Sequence, residues 1–150
     1  MRPKRWIVDA SVALKWHLRD EQYVAQADAL LKAFALGQAE LLAPSFIRYE
    51  VANAHLIAYK RGRIGLQVAQ EQLQDFLRLA VHQAADEDNL LTSALGLASS
   101  LDITVYDALY LALADQPESA LVTADRPFYD KVRTALPQTI WVGDIPVVVP

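Results

Sequence analysis

Four acidic side chains of this 150-residue chain lie where a carboxylate needs a chemical partner. Asp107 is the only charged residue of the run ITVYDALYLALA, residues 103–114. Asp9 follows the apolar WIV, Asp125 ends ALVTAD, and Glu50 lies within PSFIRYEVANA. Removing an unpaired carboxylate from water costs on the order of several kcal/mol. Each acid must therefore escape burial, accept hydrogen bonds or bind a cation.

Each acid alone also has a simpler, structural interpretation. Asp9 and Asp125 both precede helical patterns, so either side chain could be a helix N-cap. Thr104 and Asp107 have the [ST]-x-x-[DE] spacing of a capping box, which would satisfy the carboxylate locally. Glu50 could be a surface acid or part of an intrahelical pair.

The surroundings of Glu50 favour an inward position. Four residues have the i, i+4, i+7 and i+11 spacing of one helix face: Phe46, Glu50, Asn53 and Ile57. We expect this face to point inward, and we expect Arg48, His55 and Tyr59 to represent the exposed face.

Taken together, the four acids indicate one pocket with a bound cation. Neighbouring carboxylates repel one another unless a cation neutralises them, and oxygen ligands favour Mg²⁺ or Mn²⁺. The chain has no cysteine, and the spacing of His17, His55 and His82 does not suggest zinc. We therefore expect the three histidines to be surface or packing residues.

Short β-type runs that alternate with helical patterns must position these acids. The predicted strands lie near residues 6–9, 41–44, 80–83, 120–125 and 139–143. The predicted helices lie near residues 24–34, 66–80 and 88–101, after Thr104, and between Ser45 as N-cap and Gly62 past the C-terminus. This alternation is typical of an α/β fold with a parallel sheet and crossover helices. Asp9 and Asp125 would lie at the carboxyl ends of strands, where open α/β sheets bind ligands.

Length and composition predict a single domain, residues 1–150, of a soluble, cytoplasmic protein with no membrane segment. The longest uncharged stretch has 13 residues, which is too short to span a bilayer, and the basic N-terminus lacks the apolar segment of a signal peptide. A net charge of −4 argues against coating nucleic acid by bulk electrostatics. The hydrophobic fraction of 53% favours a self-interface or a partner groove.

Four ordered motifs resemble those of the PIN-domain nucleases, most closely the VapC-type toxins of VapBC toxin-antitoxin pairs. The motifs are IVDASVALKW, PSFIRYEVANA, TVYDALYLALA and LVTADRPF. The resemblance implies a three-layer α/β/α sandwich around a short, mainly parallel five-stranded sheet. The residues that match the family's four acids are Asp9, Glu50, Asp107 and Asp125. The accompanying polar positions are Ser11, Asn53 and Thr123.

The resemblance also implies an activity. It implies a Mg²⁺- or Mn²⁺-dependent ribonuclease that hydrolyses RNA, with Asp9 and Asp107 as direct metal ligands. Glu50 and Asp125 would bind the metal directly or through water. Many relatives have a further acid where this chain has Pro127, which puts a fifth ligand in doubt.

Phosphate contacts and partners are further expectations. Arg126 and Lys15 lie near two of the acids in sequence and could contact phosphates. The family implies a homodimer and a small antitoxin that silences the toxin. Two alternatives stay open: an RNA-processing PIN nuclease, or a catalytically silent module whose acidic pocket binds a basic partner segment.

Overall fold

A computed structural model describes residues 4–83 and 87–147 of the chain. Within these residues, five strands form one sheet in the order β3-β2-β1-β4-β5, and every pairing is parallel. The strands are β1 (Lys4–Val8), β2 (Ala39–Ala43), β3 (His82–Gln83), β4 (Ser119–Thr123) and β5 (Thr139–Trp141). The predicted α/β fold with a parallel sheet is confirmed.

Seven α-helices connect and flank these strands in the described part of the chain. They are α1 (Ala10–Ala13), α2 (Val24–Ala35), α3 (Ile47–Lys60), α4 (Leu66–Arg78), α5 (Glu87–Leu101), α6 (Val105–Ala114) and α7 (Arg126–Val132). Short 3₁₀ helices cover Leu14–Trp16 and Val142–Asp144. The predicted N-cap at Ser45 is wrong, because α3 begins after Phe46 and has no side-chain cap bond.

The strand order explains why helices cover both faces of the sheet and so form three layers with it. The chain adds β2 and then β3 on one side of β1, and it adds β4 and then β5 on the other side. Right-handed crossovers therefore place α1 to α4 on one face of the sheet and α5 to α7 on the other. The direction reverses between β1 and β4, and the carboxyl ends of these two neighbouring strands form the ligand-binding crevice of such folds.

The core lies between these layers. Ile7, Val8, Leu121 and Val122 of the two central strands are almost fully buried. Helix α6 packs on β1 and β4, and its residues 108–114 are all buried, so its apolar sequence reflects enclosure by the protein. Only the first turn of α6 reaches the surface, and that turn carries Asp107.

No single helix among residues 4–83 and 87–147 has both the length and the hydropathy needed to cross a membrane. The segments Asp88–Leu101 and Val105–Ala114 meet those criteria only as a pair, and they are bent by 114° at their junction.

Candidate active site

Asp9 lies at the bottom of the crevice, one residue after β1. The Ser11 hydroxyl donates to Asp9 Oδ1 at 2.5 Å, and the backbone N–H of Val12 donates to the same oxygen at 3.2 Å. The hydroxyl of Thr123, at the end of β4, donates to Asp9 Oδ2. The pKa of Asp9 is nevertheless raised to about 6, mainly by burial and to a smaller extent by the charge of Asp125, against the lowering effect of these bonds. Asp9 is thus the N-cap of α1, and its ionised form is disfavoured because the carboxylate is buried away from water.

Asp125 and Asp107 approach the crevice from two helix N-termini. Asp125 caps α7, since its Oδ1 accepts a hydrogen bond from the Phe128 N–H at 3.1 Å. The Thr104 hydroxyl accepts a hydrogen bond from the Asp107 N–H at 3.1 Å, which caps α6. Both carboxylates line one pocket of about 400 Å³, together with Lys131.

The electrostatic environment of Asp107 reflects this shared pocket. Burial raises the pKa of Asp107, and the negative charge of Asp125 raises it further. The Thr104 hydroxyl and the Lys131 ammonium group act in the opposite direction. The two carboxylates therefore repel each other across the pocket.

Glu50 reaches the site from α3 and is held by a tyrosine of α6. The Tyr110 hydroxyl donates to Glu50 Oε1 at 2.6 Å. Burial raises the pKa of Glu50, the bond from Tyr110 lowers it, and the charge of Asp107 raises it. Burial also raises the pKa of Tyr110 well above its ordinary value, and Glu50, Asp9 and Asp107 all contribute to that shift. The Tyr110 hydroxyl is therefore hydrogen-bonded to Glu50 and is affected by the charges of Asp9 and Asp107.

The four acids thus form one electrostatically coupled set. The repulsive pairs run from Asp9 to Asp125, from Asp125 to Asp107 and from Asp107 to Glu50. Among the residues that the structure describes, no three acidic or histidine side chains are grouped so that they could hold an ion together. Mg²⁺ usually binds one or two protein carboxylates and keeps several waters. The all-oxygen donor set and the accumulated negative charge fit such a hard divalent cation.

The predicted supporting residues have different positions. Ser11 and Thr123 lie beside Asp9 and also bind the following loop, because Ser11 Oγ accepts from the Ala124 N–H at 2.9 Å. Asn53, in contrast, is exposed on α3. In the described part of the chain it makes no hydrogen bond to any of the four acids.

The predicted orientation of α3 needs correction. Its buried residues are Ile47, Val51, His55 and Ala58. His55, expected on the exposed face, is only 2% exposed, and its Nδ1 lies 2.9 Å from the Val51 carbonyl oxygen. Ile57, expected to point inward, is 40% exposed. Glu50 therefore lies at the border of the buried face, where its carboxylate accepts the hydrogen bond from Tyr110 and is affected by the charge of Asp107.

Of the two predicted phosphate contacts, Lys15 is not available. It is 6% exposed, and its ammonium group lies 3.8 Å from Glu21 Oε1. Glu21 also pairs with Arg63 at 3.3 Å. The Lys15 ammonium group is therefore part of an ion-pair network within the fold, and it is not free to contact a phosphate.

Arg126, directly after Asp125, is exposed and supported by aromatic rings. Its guanidinium lies 5.0 Å from the ring centroid of Trp141 and 5.2 Å from that of Tyr129. It also pairs with Asp130 at 3.5 Å. The sequence analysis missed the two rings, and it missed Tyr110; a tyrosine in an otherwise apolar buried helix is itself a signal, because its hydroxyl needs a partner.

Comparison with known proteins identifies the family to which this chain is similar. Residues 6–133 match the family model described as PIN domain. The chain is 33% identical over 129 residues to Ribonuclease VapC3 of Pyrobaculum aerophilum, covering 83% of this chain and 92% of that protein. It is 31% identical over 139 residues to Ribonuclease VapC9 of Mycobacterium tuberculosis, covering 89% and 96% of the two chains. The crystal structure of PAE2754 from Pyrobaculum aerophilum has a similar fold, with a TM-score of 0.67, 24% identity and coverage of 94% and 92%.

Proposed function

Because this chain belongs to the PIN-domain family, we propose that it is a divalent-metal-dependent ribonuclease and the toxin of a type II toxin-antitoxin pair. The observation that carries the proposal is the coupling of the four acids at the point where the strand order reverses. Without a compensating charge, Asp9 in particular is costly to ionise, since its pKa is raised to about 6. The relatives' names, which include the word ribonuclease, support RNA as the substrate.

The acids would hold Mg²⁺ or Mn²⁺, with Asp9 and Asp107 as direct ligands and Glu50 and Asp125 binding through water, because no three of the described acidic side chains are grouped around one ion. When bound there, such a cation would supply Lewis-acid chemistry: it would polarise a phosphoryl oxygen, lower the pKa of a bound water and offset the charge that develops. Hydrolysis of this kind leaves 5′-phosphate and 3′-hydroxyl ends. It makes no use of the 2′-hydroxyl, so RNA as the substrate rests on the relatives and not on the pocket.

The chain's own polar groups prepare the site for this task. The hydroxyls of Ser11 and Thr123 fix both Asp9 oxygens, and Tyr110 fixes one oxygen of Glu50, so the carboxylates are oriented before substrate arrives. Arg126 is placed to contact a phosphate next to the scissile one, because it follows Asp125 and its guanidinium is held against Trp141.

The proposed partners follow from the same family membership. A small antitoxin would silence the enzyme by covering the crevice, and two copies of the chain would form a homodimer. The described surface offers apolar area for such contacts, including Leu95, which is 63% exposed.

Purified protein incubated with RNA and Mg²⁺ or Mn²⁺ tests the activity. We expect cleavage that EDTA abolishes and that leaves 5′-phosphates. Asp9→Asn and Asp107→Asn should each lose more than the roughly 10- to 100-fold seen when a residue that only orients a metal ligand is removed. Asp115→Asn, which makes the same change of charge at the exposed C-terminus of α6, is the matched control and should retain full activity.

Expression in cells tests the toxin role. The wild-type chain alone should arrest growth, and Asp9→Asn should relieve the arrest. If the pure protein cleaves no RNA with either metal and the variant arrests growth as the wild type does, the nuclease proposal fails and the binding-module alternative is favoured.

A further inference from the structure

Tyr106 is an exposed aromatic residue that ring contacts connect to the acids. It precedes Asp107 in the first turn of α6, and 64% of its surface is exposed, whereas residues 108–114 of the same helix are buried. Its connection to the acids is the ring of Phe46, which also packs against Tyr110, the tyrosine that donates to Glu50. Most of the Tyr106 ring is thus open to a ligand.

An edge-to-face contact with Phe46 fixes the orientation of the Tyr106 ring. The Phe46 ring packs edge-to-face against it, with centroids 5.4 Å apart and planes at 84°. Phe46 packs in the same way against Tyr110, at 5.5 Å and 86°. Tyr106, Phe46 and Tyr110, which we call the aromatic ladder, thus lead from the surface to the hydroxyl that holds Glu50. A ring held in this way loses little conformational entropy when a ligand covers it.

We propose that Tyr106 is a nucleobase-binding subsite, on which a base next to the scissile phosphate stacks. The inference rests on the proposed ribonuclease function. Its physical basis is the charge around the proposed metal: four carboxylates carry more negative charge than one divalent cation offsets, so they repel the phosphates that flank the scissile one, whereas a nucleobase is neutral. Stacking therefore supplies affinity where electrostatic attraction is weak, and single-stranded RNA exposes bases for such contacts.

The consequence for specificity follows from the same contact. Every base has a flat face that can stack, so the subsite tolerates different bases but requires that one be present and unpaired. The enzyme would accordingly favour loops and single strands over continuous duplex, in which the bases are stacked on one another.

Three variants of the full chain test the subsite with a single-stranded RNA substrate and Mg²⁺ or Mn²⁺. Tyr106→Ala should raise KM by roughly 5- to 150-fold, the range for loss of one stacked base, and should leave kcat within about 2-fold. Tyr106→Phe keeps the ring and should behave like the wild type. Tyr59→Ala, which removes a 41%-exposed tyrosine at the far end of α3, is the control and should also behave like the wild type.

A modified substrate sharpens the test. An abasic nucleotide placed in turn on either side of the cleaved bond should raise KM for the wild type at one position and should have no further effect on Tyr106→Ala.

An unchanged KM for Tyr106→Ala, or equal sensitivity of both proteins to the abasic nucleotide, overturns the subsite. Loss of neutralisation by the antitoxin with an unchanged KM also overturns it and assigns the ring to the protein partner. Cleavage by the wild type is measured in the same assay, so failure of the subsite is distinct from failure of the nuclease proposal.

Discussion

Replacing Asp9 with asparagine should stabilise the metal-free protein at neutral pH. The side chain is 7% exposed, and its pKa is raised from 3.8 to about 6, mainly by burial. One pKa unit corresponds to about 1.4 kcal/mol, so ionised Asp9 lowers the free energy of unfolding by up to about 3 kcal/mol. Asparagine has no charge to bury and is an equally good N-cap, so its oxygen keeps the hydrogen bonds from the Val12 N–H and Ser11, while its amide N–H₂ faces Thr123 and donates to that hydroxyl oxygen instead of accepting from it.

The pH dependence follows from the direction of the shift. The folded state binds the Asp9 proton more tightly than the unfolded state, so this residue lowers stability as pH rises from 3.8 to about 6. Below that window Asp9 is neutral in both the folded and the unfolded state and does not change the free energy of unfolding. Above the window Asp9 is ionised in both states, and the free energy of unfolding is lowered by the full amount. The difference in stability between Asp9→Asn and wild type should therefore grow through the window and then level off.

Urea unfolding in EDTA at several pH values between about 4 and 8 measures this difference. At the upper end, about 3 kcal/mol corresponds to a rise in Tm of roughly 6 to 12 °C for a chain of this size. Acids outside the coupled set of four titrate equally in both proteins and cancel. Asp115→Asn should show no such trend, because Asp115 is exposed. A difference between Asp9→Asn and wild type that stays constant with pH, or falls, would refute the reasoning.

Three further substitutions probe the other polar contacts. Asp107→Asn should abolish cleavage without lowering Tm, because burial and the charge of Asp125 both disfavour its ionised form. Thr123→Val removes a hydroxyl that donates to Asp9, so it should move the Asp9 pKa above about 6 in an NMR titration of the metal-free protein. Tyr110→Phe removes the donor to the half-buried Glu50 and should lower stability by about 1 kcal/mol in urea unfolding.

For each of these three substitutions, one result would contradict the expected effect. Residual cleavage by Asp107→Asn near the wild-type rate would remove Asp107 from the metal ligands. An unchanged or lowered Asp9 pKa in Thr123→Val would mean that the hydroxyl does not stabilise the carboxylate. A Tyr110→Phe protein as stable as the wild type would show that water replaces the tyrosine at Glu50.

The sheet and the placement of the acids could be predicted because both depend on local sequence. Short apolar runs between helical patterns located all five strands, and β1 and β4 end close to Asp9 and Asp125. In a parallel sheet, neighbouring strands end at the same edge, so residues that follow two such strands are near each other whatever the connecting helices do.

The rotation of α3 could not be predicted in the same way. Two stripes of the helix have helical spacing, one through Phe46 and Ile57 and one through Ile47 and Val51. Histidine counts as polar in such patterns, but His55 satisfies one ring nitrogen at the Val51 carbonyl one turn earlier and is buried. The choice between the stripes depends on this local bond and on the packing of α3 against α4.

Contacts between distant segments were also beyond the sequence analysis. The burial of Lys15 depends on Glu21, which a loop brings to the end of a 3₁₀ helix. The support of Arg126 depends on Trp141, which belongs to the edge strand β5. Neither contact can be recognised from the sequence separation of its two residues, because the tertiary fold determines where the second residue lies.

The helix caps at Asp9 and Asp125 bear on how inactive relatives of this protein should be recognised. Each of these two carboxylates begins a helix as well as facing the crevice, so selection for folding alone would keep an aspartate, asparagine, serine or threonine there. Asp107 has no such second task, since Thr104 occupies the N-cap position of its helix, whereas Glu50 accepts a hydrogen bond from the buried Tyr110 hydroxyl. A descendant that had lost its chemistry would therefore drift first at position 107. The residue at that position discriminates a working nuclease from a retained scaffold better than the more prominent aspartates at the strand ends.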